Sequence, residues 1–172
     1  MSSRGCWRPR NRRDALPYRP AQAHDGGVSS PDPYNLRRFV DAQDGVIGTA
    51  LAELRAGAKQ SHWMWFVFPQ LAGLGHSPTA QFYAIASPAE ARAYLDHPLL
   101  GSRLLECVDA LIAWAGKRSA EQIFGSVDAM KLRSCLTLFD RIEPGGAFEK
   151  ALVNFFGGDR DQRTLALFNA QA

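Results

Sequence analysis

Two cations occupy positions where a helix should be apolar. The run Leu100, Arg103, Leu104, Cys107, Leu111 and Trp114 keeps the 3.6-residue period of one helical face, and Arg103 lies within that face. Lys131, Cys135, Leu138 and Ile142 repeat the pattern further along, with Lys131 as the inward cation. An unpaired buried cation costs roughly several kcal/mol, so each needs a carboxylate, carbonyl groups or an anionic ligand beside it. Asp128, one turn before Lys131, is the local partner. Two readings follow. One is an internal ion-pair network of Arg103, Lys131, Asp128 and Glu90. The other is a pocket in which Arg103 and Lys131 hold a phosphate or carboxylate.

His62 stands at the polar edge of an apolar run, residues 63–69, that carries Trp63 and Trp65. An indole there could stack on a base, and the imidazole could act as a general acid or base. The bland alternatives are core packing for the indoles and a single backbone hydrogen bond for the histidine. His97, just before Pro98, reads as the residue that starts the next helix. Ser134 and Thr137 share a helix with Lys131. A nucleophile-and-base reading of Ser134 and Lys131 competes with the usual bonding of helical hydroxyls to their own backbone. The histidines 62, 76 and 97 lack an i, i+4 or HExxH spacing, so no metal site and no cofactor is expected. GxGxxG, GxxxxGK[ST] and GxSxG are all missing, which argues against the commonest nucleotide-fold and hydrolase-fold chemistries.

The elements that position these residues are helical. Asp32 and Pro33 open a predicted helix over 33–56, with Leu36, Phe39, Val40, Ile47, Leu51 and Leu54 on its apolar stripe and Gln43 half-buried among them. The run 63–69 is apolar on every side and must be buried, as a helical turn or an extended segment. Ser77-Pro78 and Ser87-Pro88-Ala89-Glu90 are start signals for two short helices. A long helix follows Pro98 to about residue 115. Ser119 with Gln122 forms a capping box for a brief helix, Ser126 opens one to about 142, and two more cover 148–156 and 161–168. Seven or eight helices and no alternating strand predict an all-α domain, compact, single and orthogonal bundle-like.

Charge divides along the chain. Of 20 basic and 17 acidic residues, six Arg and three Asp lie in residues 1–33, leaving fourteen of each sign for residues 34–172. The expected globular part is therefore neutral, and the expectation is a disordered, Arg/Pro-rich basic tail over 1–33 that could contact nucleic acid weakly. Three cysteines without a CxxC pair read as reduced thiols in a cytoplasmic protein. No apolar stretch is long enough for a membrane span.

The string Gly57-Ala58-Lys59-Gln60-Ser61-His62-Trp63-Met64-Trp65-Phe66-Val67-Phe68-Pro69-Gln70, followed by Gly73-Leu74-Gly75, resembles the bacterial and fungal family catalogued as domain of unknown function 1810. The resemblance continues through Tyr83, Glu90-Ala91, His97-Pro98, Leu100-Gly101-Ser102-Arg103-Leu104, Asp128, Lys131 and Ser134. It implies a compact helical domain, and it brings no activity with it. It also implies that His62, Trp63, Trp65, Gln70, Tyr83, His97, Arg103, Lys131 and Ser134 recur in the family. The functional expectation is binding of a small anionic ligand, nucleotide or ADP-ribose-like, with His62 as the candidate catalytic group. Trp63, Trp65, Gln70, Tyr83, His97, Arg103, Asp128, Lys131 and Ser134 are the candidate ligand contacts. The alternative is a non-catalytic sensing or interaction module in which the same residues form a structural ion-pair core.

Overall fold

A computed structural model of the chain describes residues 31–171. The predicted tail lies almost wholly outside them; Asp32–Ala172 is one unit. Ten helices are present among the described residues: α1 (Arg37–Gln43), α2 (Ile47–Ala56), α3 (Met64–Val67), α4 (Pro78–Phe82), α5 (Pro88–Asp96), α6 (Leu100–Ile112), α7 (Ala120–Phe124), α8 (Ser126–Ile142), α9 (Ala147–Phe156) and α10 (Gln162–Gln171). The domain is all-α. The only extended pairing among the described residues is an isolated parallel bridge between Leu71 and Ile85.

The count exceeds the expected seven or eight for two reasons. The apolar run after Trp63 contributes α3, and the helix expected over 33–56 breaks in the middle. Gly45 takes a left-handed φ of 71° after an extended Asp44, so Asp44-Gly45 acts as a turn inside an unbroken apolar stripe. The first helix begins at Arg37 rather than at residue 33, and Asp32 braces the turn before it, its carboxylate accepting from the backbone N–H groups of Leu36 and Arg37. The start signals for α4, α5 and α7 act as expected. Ser77, Ser87 and Ser119 each accept from the third residue of their helix, and Gln122 completes a reciprocal box at α7.

α8 is the central strut, packed against α5, α7, α9 and α10, while α6 packs on α2, α5 and α9. A chain of buried rings crosses these helices. Phe39 meets Tyr94 edge-on at 5.0 Å, Tyr94 lies 5.5 Å from Phe139, and Phe139 stacks on Phe148 at 5.5 Å. α5 and α6 meet so closely that a Cβ on Gly101 would fall 1.9 Å from the carbonyl oxygen of Leu95, a place only glycine fits. Cys107 and Cys135 are buried free thiols. Burial pushes Cys107 up to about 12 and Cys135 well above its ordinary value, so both stay protonated and unreactive.

Arg38 pins α1 to the segment before α5. Its guanidinium donates to the carbonyls of Tyr34, Asn35, Phe82 and Ala84 and to the Glu90 carboxylate at 2.6 Å. The other Glu90 oxygen accepts from the Ala86 N–H. Glu90 thus belongs to Arg38, not to the Arg103 and Lys131 network expected from the sequence. Gln43 is fully buried rather than half-buried. Its amide donates to the Phe66 carbonyl at 2.8 Å and to the Tyr94 hydroxyl at 3.1 Å, and its oxygen accepts from Arg103 at 3.3 Å.

Candidate functional site

The N-terminal half of α8 forms one wall of a cleft of about 400 Å³. Val127, Met130, Lys131 and Ser134 follow each other at helical spacing, so they share a face and line the hollow together. Opposite stand Trp65 of α3 and Gln70, with the loop through Gly75 and His76 leading into α4. Asp161 and Arg163, at the start of α10, close the third side.

Lys131 dominates the electrostatics. Its ammonium lies 2.9 Å from one Asp128 oxygen and 4.6 Å from the centre of the Trp65 ring, an ion pair and a cation–π contact at once. The second Asp128 oxygen is 2.8 Å from Lys59, whose side chain is only 8% exposed. Lys59 also donates to the Ser61 carbonyl at 2.7 Å and lies over the Trp63 ring at 5.0 Å. Burial raises the Asp128 carboxyl, but hydrogen bonds from Lys59 and Lys131 and their two charges outweigh that and hold it below the ordinary carboxylate range. One carboxylate therefore serves two ammonium groups. The cluster keeps a surplus positive charge, and Lys131 carries it to the cleft wall.

The remaining polar groups of the cleft are partly committed. The Ser134 hydroxyl donates to the Met130 carbonyl at 3.1 Å, and Thr137 does the same to Arg133 at 2.8 Å. That is the backbone bonding typical of helical hydroxyls. Ser134 offers a ligand its acceptor lone pairs. Lys131 donates to Asp128 rather than pairing with this hydroxyl. Asp161 caps α10, its carboxylate accepting from the N–H and hydroxyl of Thr164 at 2.8 and 2.6 Å. Arg163 and His76 are exposed at the rim.

The structure thus brings Trp65, Gln70, Lys131 and Ser134 together, with Asp128 behind Lys131. It places the other candidates elsewhere. Trp63 is fully buried, its indole N–H donating to Glu53 at 2.8 Å. His62 is exposed and does not line the cleft, because the neighbouring indole turns inward and carries the imidazole outward. Tyr83 packs on the rings of Phe39, Phe66 and Phe82. His97 accepts from the N–H groups of Leu99 and Leu100 through Nδ1 at the entry to α6, the place read for it before Pro98. Arg103 is half-buried, binds Gln43, and forms no salt bridge to a described carboxylate. It does not line this cleft, so the two inward cations are not joined in one hollow.

Lys59, His76, Asp161 and Arg163 escaped the sequence reading. Lys59 and His76 sit in irregular segments, where no periodicity marks a facing direction. Asp161 and Arg163 reach the cleft only because the turn after α9 folds back along α8, with Asp161 N–H donating to Thr137 at 2.9 Å. Among the described residues no group of His, Cys, Asp or Glu is placed to hold a metal ion. No helix there is long and apolar enough to cross a membrane.

With this geometry in place, the comparisons with known proteins are informative about kinship. Residues 33–168 match the family described as "Protein of unknown function (DUF1810)", and the chain belongs to that family. Among solved structures it is similar to the conserved hypothetical protein Rv1873 from Mycobacterium tuberculosis, at 50% identity and a TM-score of 0.78. The match covers 80% of this chain and 99% of that one. No curated protein matches.

Proposed function

We propose that this domain binds a small organic anion, of the nucleotide or ADP-ribose type, in the cleft between α8, α3 and the start of α10. The observation that carries the reading is the surplus charge. Two ammonium groups share the single carboxylate of Asp128, and the more exposed of them, Lys131, lies against the Trp65 indole on a concave surface. An anion there would meet Lys131 and the exposed Arg163, while Ser134 and Gln70 supply directed polar contacts. Arg103, bound to Gln43, supports the core rather than this ligand.

Binding without turnover is favoured by the state of the side chains. The Ser134 proton is held by its own helix, and the Asp161 carboxylate is occupied as a cap. If a proton is transferred, the imidazole lining the cleft is His76, which takes the place first assigned to His62.

The test is calorimetric titration with inorganic phosphate, AMP and ADP-ribose of the wild type and of Lys131→Met. Asp128 keeps Lys59 in that variant, so the fold is retained and circular dichroism can verify it. Binding that weakens about tenfold or more in Lys131→Met, with ligands recovered unchanged, supports the reading. Equal affinity in the two proteins overturns it.

A further inference from the structure

The lip of the cleft is apolar and open. Val127 and Met130 are 59% and 65% exposed, the two highest values among the six exposed large hydrophobic side chains of the described residues. They stand three residues apart on α8 and line the cleft on the same ridge as Lys131 and Ser134. The opposite face of this helix stretch is conventional, with Ala129, Leu132 and Leu136 buried. Scattered exposed apolar side chains need no explanation, but a pair bordering a cationic hollow presents an amphipathic surface to whatever enters. Methionine, unbranched and polarisable, conforms to ring faces of different shape.

We infer that the anion bound in this cleft carries an apolar or aromatic group, which lies along the lip formed by Val127 and Met130 while the charged group reaches Lys131. The inference rests on the anion-binding reading above and deepens it by placing the organic part of the ligand on the lip, which a bare inorganic anion would leave in water. Discrimination then comes from the organic part of the ligand. Each buried methylene is worth about fourfold in affinity and a partly covered ring about tenfold, whereas the anion supplies attraction common to all phosphates.

Inorganic phosphate, phenyl phosphate and AMP are titrated against the wild type, the double variant Val127→Ser/Met130→Ser, and Lys131→Met. In the wild type, phenyl phosphate should bind about tenfold tighter than inorganic phosphate. The double variant should reduce that ratio to about threefold or less, with its own inorganic-phosphate affinity measured alongside as the reference. A second reading needs no substitution. The methyl resonance of Met130, observed with carbon-13 methionine, should move on adding phenyl phosphate and stay still with inorganic phosphate. Equal binding of the two phosphates to the wild type overturns the inference and leaves the anion site standing, as does a preference that survives in the double variant. If no anion binds, or Lys131→Met changes nothing, the anion-binding reading falls and this inference falls with it.

Discussion

Asp128 is where the account is most exposed to test. Its two oxygens lie 2.8 Å from the Lys59 ammonium and 2.9 Å from that of Lys131, with side-chain exposures of 19% for the aspartate, 8% for Lys59 and 23% for Lys131. Asp128→Asn keeps the shape and an acceptor but removes the negative charge, leaving two cations without a counter-charge. At an effective dielectric near 20 each lost attraction is about 6 kcal/mol at these separations, before the solvation regained by the freed charges. Removing one partner of a buried pair costs about 3–5 kcal/mol, and partial exposure brings this case to about 2–3 kcal/mol, or roughly 6–10 °C in Tm. The sign with pH is fixed by the direction of the shift. The folded carboxyl titrates below its unfolded value, so its contribution is full above about pH 4 and is lost as the pH falls through the folded value. Urea unfolding of both proteins at about pH 7 and again near pH 3 should therefore show a gap that narrows in acid. Millimolar sulfate should stabilise the variant more than the wild type by supplying the missing negative charge. A gap of the same size at both pH values, or no gap at all, would refute the charge argument.

Three further outcomes follow from the fold. Burial raises the Glu53 carboxyl, but the N–H of Gln60, the hydroxyl and N–H of Ser61 and the indole of Trp63 together bring it down to about 2. Glu53→Gln should then cost about 1–2 kcal/mol at neutral pH, allowing for solvent screening, and the two proteins should converge between about pH 4.5 and 2, as followed by denaturant midpoints. Gly101→Ala forces a methyl group onto the Leu95 carbonyl and should lower stability by about 3 kcal/mol or abolish folding, as read by circular dichroism. Gly48→Ala, in α2 with nothing within 4 Å of the new Cβ, should raise stability by about 0.5–1 kcal/mol in the same melts.

Much of the framework was legible because caps and periodicity are local. Ser77, Ser87 and Ser119 announce their helices by hydrogen bonds made within four residues, and the stripes of α6 and α8 identify their inner faces. The break at Gly45 was hidden because the apolar stripe continues in phase across it. At the site, Lys131 and Asp128 were legible because they are three residues apart on one helix, where spacing alone implies contact. Lys59 meets Asp128 across a long stretch of chain, and Arg38 meets Glu90 in the same way, so these pairings depend on tertiary packing that no local pattern encodes. Arg103 shows the limit of periodicity. A cation on an inward face must find a partner, but it finds the amide of Gln43 rather than a shared anion pocket. His62 and Trp63 are adjacent in sequence and face opposite ways, and only the burial of the indole decides which.

The central claim is that Lys131 presents unneutralised charge to a ligand in the α8 cleft. It is tested most directly by titrating AMP into carbon-13 methionine-labelled protein and following the Met130 methyl group at the cleft edge, with the fully buried Met64 as the internal reference. The account requires a saturable shift of the Met130 signal, little change at Met64, and an affinity at least about tenfold weaker in Lys131→Met. A Met130 signal that stays fixed while AMP binds elsewhere, or an identical isotherm for Lys131→Met, would contradict it.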